Sequence, residues 1–301
     1  MESVQGRSIP RLSNPLLLIP GGTSQKFGLR AIARYLQKGG NNRYVGDFQI
    51  GNEEKFIQQM RNRSGNMASL YYSREFGSLE GNAQEIKAAV DSIREATGSD
   101  KVDIVAECKG AIETREYLKE GGDHVGNFIL LVPPNHGIPI GIGSLWPIIK
   151  MQKFLHFPFP QVRGYSLTPE TGDTILNFRP DFHIGKWHTN RYFKKLNSPK
   201  NLEAEKKKTE SLTVLAGSDI RQLKGKYFPG IPGKWLKGDG LVPEWSARLP
   251  NAENIFIHGK KYIHADFKFN PVIHAKIAEI LTGIPVPARM AKQIIKKDCP
   301  D

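Results

Sequence analysis

Cysteine is scarce: Cys108 and Cys299 are the two in 301 residues. They allow at most one disulfide, which excludes a disulfide-stapled framework and leaves neither cysteine informative about redox compartment. No run of eighteen or more apolar residues occurs, which excludes a helical membrane span. The first residues (MESVQGRSIPRLSN) lack the basic start, apolar stretch and small-residue cleavage site of a signal peptide. The expectation is a soluble protein, cytoplasmic or exported without such a peptide. Fixed-period repeats and low-complexity blocks are absent, as are Walker and dinucleotide-binding glycine patterns. Residues 137–143 (GIPIGIG) lack a helix start and Pro139 favours a loop. His183 and His188 stand without a carboxylate or cysteine at ligand spacing, so no metal and no cofactor is expected.

Acidic residues are also short: 43 Lys and Arg face 30 Asp and Glu, a formal charge of +13. Such a balance attracts an anionic partner, whether phospholipid head groups, nucleic acid or an acidic polymer. No nucleic-acid-binding motif is visible, which leaves an anionic lipid surface as the better match. Hydrophobic residues make up 39% and charged residues 24%, the balance of a globular chain long enough to bury a full core.

The recurring unit is a short apolar run, a Gly- or Pro-rich turn and an amphipathic helix, which predicts a mostly parallel sheet flanked by helices. Residues 15–19 (PLLLI) read as a buried strand followed by the turn Pro20-Gly21-Gly22-Thr23. Residues 27–38 carry Leu29, Ile32, Ala33 and Leu36 at helical spacing. Residues 67–73 read as a strand. Residues 82–97 read as a helix capped by Asn82, with Glu85 three residues on and Ile86, Ala89, Val90 and Ile93 on one face. Then come a strand at 101–106 (KVDIVA), a helix at 111–120 and a strand at 128–132 (FILLV). Later strands are expected at 212–216 and 254–257, and a closing helix at 271–281. Between residues 138 and 210 the alternation fails in favour of scattered aromatics and the run Lys206-Lys207-Lys208. This stretch is read as a cap or lid insertion, in which 144–157 has the pattern of an amphipathic helix with interleaved lysines. The core is then residues 1–137 and 211–284, and 285–301 is a basic C-terminal extension.

At Ala106-Glu107-Cys108-Lys109-Gly110 a nucleophile sits between a strand and a helix, with small residues two before and two after it. That is the pattern of a nucleophile elbow, G-x-S-x-G, with Ala106 for the first Gly and Cys108 for Ser. A helix N-terminus favours a thiolate, whereas Glu107 beside the thiol would disfavour it.

With this elbow, three further segments stand in a familiar order: LLLIPGGTSQ, VPPNHG at 132–137, and GDGLVP at 238–243 with a histidine downstream. The chain thereby resembles the α/β-hydrolase superfamily, specifically its bacterial lipase and esterase branch, over about residues 14–137 and 211–282. The resemblance implies an α/β-hydrolase fold with a cap insertion. It makes Cys108 the nucleophile, Asp239 the acid and His264 the base, in the order that fold uses. His258, directly after its strand, and Asp219, in the turn after residue 216, are the rival base and acid. The oxyanion hole falls to the backbone N–H groups of Gly22 and Lys109, with the Thr23 hydroxyl as an additional contributor. The implied activity is hydrolysis of a hydrophobic acyl ester or thioester through an acyl-cysteine. The alternatives are acyl transfer to an acceptor other than water, and a binding protein that keeps the fold without catalysis. The family carries Ser at the nucleophile and often His before it, where this chain has Cys108 and Glu107.

Overall fold

A computed structural model describes residues 8–22, 25, 28–74, 77–137, 181–183, 186–188, 191–221, 237–287, 292 and 294–296. The expected lid helix at 144–157, Thr23 and Cys299 lie outside the described residues.

The strands predicted from continuous apolar runs form the centre of the sheet. They are β1 (Leu16–Ile19), β3 (Met67–Leu70), β4 (Val102–Glu107), β5 (Val125–Leu131), β8 (Thr209–Gly217) and β11 (Glu253–Ile257). Their side chains divide between two apolar layers with the period of two that a pleated strand imposes. Leu17, Ile19, Ile104 and Ala106 enter one layer; Leu16, Leu18 and Val105 enter the other. Strands buried on both faces read as unbroken apolar runs, which explains PLLLI and FILLV.

The sheet runs β12-β11-β8-β5-β4-β1-β3-β2, all neighbours parallel except the antiparallel pair β11–β12. Both edges depart from the sequence reading. One edge is β2 (Tyr44–Phe48), in a stretch assigned no element. The other is β12 (Ile294–Lys296), so part of the C-terminal extension joins the sheet. Helices α1 (Arg30–Leu36) and α8 (Pro271–Thr282) supply Ile32, Ala33, Leu36, Ile273 and Ile277 to one layer. Helices α2 (Glu53–Asn62), α3 (Leu79–Thr97) and α4 (Lys109–Lys119) contribute to the other.

Helix α3 starts earlier than predicted. Its N-cap is Ser78, whose Oγ accepts from the Gly81 N–H at 3.0 Å. Asn82 is not a cap but a buried residue of the first turn, donating to Glu113 of α4. Glu85 accepts from the Ser73 N–H at 2.9 Å, which fastens α3 to the end of β3.

In the region read as insertion, β6 (Asp181–His183) and β7 (Lys186–His188) form an antiparallel pair. Helices α5 (Arg191–Leu196) and α6 (Pro199–Lys208), at the end of that region, lead from it into β8 and pack on α4. Phe193 and Leu196 join Leu79 and Ile112 in an apolar cluster. Fully buried Arg115 of α4 donates from Nε to Glu205 at 3.0 Å and from Nη2 to Asn197 at 2.8 Å. Residues 191–208 are thus the last part of the connection from β5 to β8, and the lysine run ends its helix. Among the described residues no helix is long and apolar enough to cross a membrane.

Candidate active site

From β1 the chain passes to strands on one side, and from β4 to strands on the other, so β1 and β4 flank the point where the strand order reverses. In open α/β sheets the crevice at the carboxyl ends of such strands is where ligands bind. The turn after β1 holds Gly21 and Gly22, and the turn after β4 holds Cys108.

Cys108 has φ 51° and ψ −118°, a conformation that L-residues rarely adopt and that costs on the order of 1–3 kcal/mol. The surroundings enforce it. Its N–H continues the sheet ladder to the Leu131 carbonyl at 2.8 Å, while its own carbonyl already accepts from Ala111 in α4 at 3.1 Å. The small residue at 110 is required because α4 starts against β1: a Cβ on Gly110 would lie 2.5 Å from the Pro20 carbonyl oxygen. On Gly21 it would lie 2.9 Å from Cys108 Cβ and 3.0 Å from the Glu107 carbonyl oxygen. Two turns distant in sequence are in backbone contact, and neither Gly21 nor Gly110 has room for a side chain.

Asp239 follows β10 (Lys237–Gly238), which pairs with β9 (Ile220–Arg221). Its buried carboxylate accepts from the Leu241 N–H at 2.9 Å and the Val242 N–H at 2.7 Å through Oδ1. Gly240, at φ +94°, closes the turn, which is why the motif reads Gly-Asp-Gly-Leu-Val. Oδ2 is left for His264, whose Nδ1 stands 2.8 Å away. The Asp239 carbonyl also accepts the His264 N–H at 2.9 Å, so backbone and side chain are held together. His264 starts a 3-10 helix, His264–Phe269, rather than lying in an open loop.

Burial works to push the His264 imidazole down. Asp239, with Cys108 beside it, overcomes this and holds the ring well above its ordinary value. The structure therefore gathers Cys108, His264 and Asp239 at one place, with His264 Nδ1 and Asp239 Oδ2 hydrogen-bonded at 2.8 Å and the Cys108 side chain beside the ring.

The rivals pair with each other. His258 Nδ1 lies 3.0 Å from Asp219 Oδ2, and Lys237 reaches Asp219 at 3.2 Å. This second dyad brackets the base of the β9–β10 hairpin.

Of the two residues expected to donate to an oxyanion, Lys109 opens α4 directly after Cys108, and Gly22 lies over the Lys109 side chain, its added Cβ 3.9 Å from Cδ. The Lys109 ammonium is buried and reaches Glu113 at 3.2 Å. The neighbouring Gly21 N–H points elsewhere, to Glu107 Oε2 at 3.3 Å. Glu107 does not stand as an isolated negative charge by the thiol. It is buried and accepts from Lys268 Nζ at 2.9 Å and 3.2 Å. No local pattern announces this contact, since 161 positions separate the two residues. Among the described residues no group of three or more His, Cys, Asp or Glu side chains could hold a metal ion.

No protein-family model and no curated protein matches the chain. Solved structures do. The mature form of a Bacillus licheniformis lipase aligns with a TM-score of 0.52 at 20% identity, over 92% of this chain and 96% of that one. The propeptide form of the same lipase gives 0.53 at 18% identity, over 94% of this chain and 54% of the longer one. The product of a Listeria innocua gene gives 0.51 at 14% identity, over 90% and 95%. The chain has the α/β-hydrolase fold, with a mostly parallel central sheet flanked by helices.

Proposed function

We propose that the chain is an acyl hydrolase of the lipase and esterase kind that works through a covalent acyl-Cys108. The observation that carries this reading is the buried Asp239–His264 dyad beside Cys108, with the cysteine in the strained elbow conformation at the switch point of the sheet. The lipase fold neighbours support it.

In the first step the Cys108 thiolate attacks the ester carbonyl carbon, and the developing oxyanion accepts from the Gly22 and Lys109 N–H groups. Collapse of the tetrahedral intermediate breaks the carbon–oxygen bond, and the His264 imidazolium gives its proton to the departing alkoxide. His264, now neutral, takes a proton from water, whose oxygen attacks the thioester. Collapse expels the Cys108 thiolate, restoring the ion pair. Asp239 fixes the ring tautomer and stabilises its charged form without being protonated.

A thioester also reacts readily with amines and thiols, so the same site supports acyl transfer. Partition of product between acid and amide as hydroxylamine is added measures that branch. The +13 charge supports an anionic surface as the place of action, and the aromatic stretch within 138–210 supports a hydrophobic acyl group.

The test is turnover of p-nitrophenyl esters. Cys108→Ala and His264→Ala should each abolish it while leaving the melting curve intact, because the two act as one unit. Activity retained in Cys108→Ala would end the reading.

A further inference from the structure

Glu107 and Lys268 are both buried, and each belongs to a segment that carries part of the proposed machinery. Glu107 is the last residue of β4, immediately before Cys108. Lys268 is in the 3-10 helix that begins at His264. The ammonium donates to both carboxylate oxygens, at 2.9 Å and 3.2 Å. The same carboxylate accepts the Gly21 N–H at 3.3 Å, one residue before Gly22. One buried carboxylate therefore touches the segments that bear the nucleophile, the base and one oxyanion donor.

We propose that Glu107 and Lys268 are positioning residues: their ion pair holds the His264 segment against the Cys108 elbow, fixes the turn that presents the Gly22 N–H, and cancels the carboxylate's repulsion of the Cys108 thiolate. The proposal rests on the reading of Cys108 as nucleophile. Its geometric part follows from connectivity. With the Gly21 N–H taken by Glu107, and no Cβ at 21 to hold the turn away from Cys108, the carboxylate ties the residue before Gly22 to the elbow. Its electrostatic part follows from neighbours. Among the described residues, the charged groups tied to the elbow and its neighbours are His264 with Asp239 behind it, Glu107 from β4, Lys268 from the 3-10 helix, and Lys109 of α4 with its partner Glu113. Removing one member of the Glu107–Lys268 pair changes the net charge beside the elbow by one unit, in opposite directions for the two.

The test combines two readouts. The first is the pH dependence of Cys108 alkylation by iodoacetamide, which follows thiolate formation whatever the natural substrate. E107Q leaves the positive charge and should lower the midpoint by about one pH unit; K268M leaves the negative charge and should raise it by about as much. E107Q/K268M should return it to the wild-type value. Unshifted midpoints, or shifts in one direction for both single variants, would overturn the electrostatic role. The second readout serves also if a single variant fails to fold, and compares two double variants that bury no charge. E107Q/K268M keeps an acceptor for the Gly21 N–H and E107L/K268M does not. With p-nitrophenyl butyrate the second should lose roughly tenfold more in kcat than the first with KM little changed, since it loosens an oxyanion donor. Equal kcat in the two would overturn the positioning role. If wild-type Cys108 resists alkylation and Cys108→Ala stays active, the nucleophile assignment fails instead, a separate outcome.

Discussion

Asp239 and Asp219 are both turn aspartates on the same side of the sheet, and each has a histidine within 3.0 Å; their surroundings separate them. Asp239 is buried and takes two backbone N–H groups beside its histidine. Asp219 is partly exposed and shares its carboxylate with Lys237. Among the described residues, Cys108 acts on the ring of the first dyad, raising its basicity together with Asp239. Asp239→Asn should therefore cost roughly a hundredfold or more in kcat on an activated ester, through loss of the correct tautomer. Asp219→Asn should stay within about threefold, and the reverse ranking would exchange the two dyads. A third histidine reports on stability. Burial, with the charge of Arg115 adding to it, lowers His136 to about 4 against the opposing hydrogen bond to the Arg248 backbone. The folded value is below the unfolded one, so between pH 6.5 and about 4 the unfolded chain binds a proton that the folded chain refuses. Stability is complete above that window and falls by about 3 kcal/mol across it. Urea unfolding at pH 7 and pH 4 should show wild type losing that much more than His136→Gln, and equal losses would mean that His136 is protonated in the folded protein.

At the scale of elements, the contact between α4 and the end of β1 fixes the elbow. Gly110→Ala would place a Cβ 2.5 Å from the Pro20 carbonyl oxygen and 2.9 Å from Ile19 Cγ2. Backbone and a packed β-branched residue cannot yield cheaply, so the variant should lose about 1–3 kcal/mol in denaturant unfolding. An unchanged midpoint would show that α4 stands away from β1. The central strands were legible in the sequence because burial on both faces leaves unbroken apolar runs. The edges were not. β2 alternates half-buried and buried residues around Gly46 and Asp47, and β12 is three residues inside a basic tail. The start of α3 was misplaced because Ser78 has no Glu three residues on, whereas Asn82 does, yet Asn82 turns inward to Glu113. The turns that carry Cys108 and Asp239 were legible because they demand small residues at Gly110 and Gly240, whereas His264 was reached through the family resemblance and not through a local pattern. The Glu107–Lys268 pair was not legible, since a charge that meets its partner across the fold leaves no local pattern.

At the scale of the whole molecule, two apolar layers clamp the sheet and leave the carboxyl ends of β1 and β4 as the place where turns meet. The crossover through α5 and α6 is locked to α4 by Arg115, so the helix that opens at the elbow is braced along its length. The backbone frame is thus stiff where the strained cysteine sits, and the strain is carried by contacts that do not involve substrate. The claim that it forms an acyl-thioester is tested most directly by intact-mass spectrometry after rapid mixing with p-nitrophenyl butyrate and acid quenching. The account predicts one butyryl adduct, mapping to Cys108 and not Cys299, that decays as acid is released. Turnover without that adduct, or with the acyl group on another residue, would contradict it.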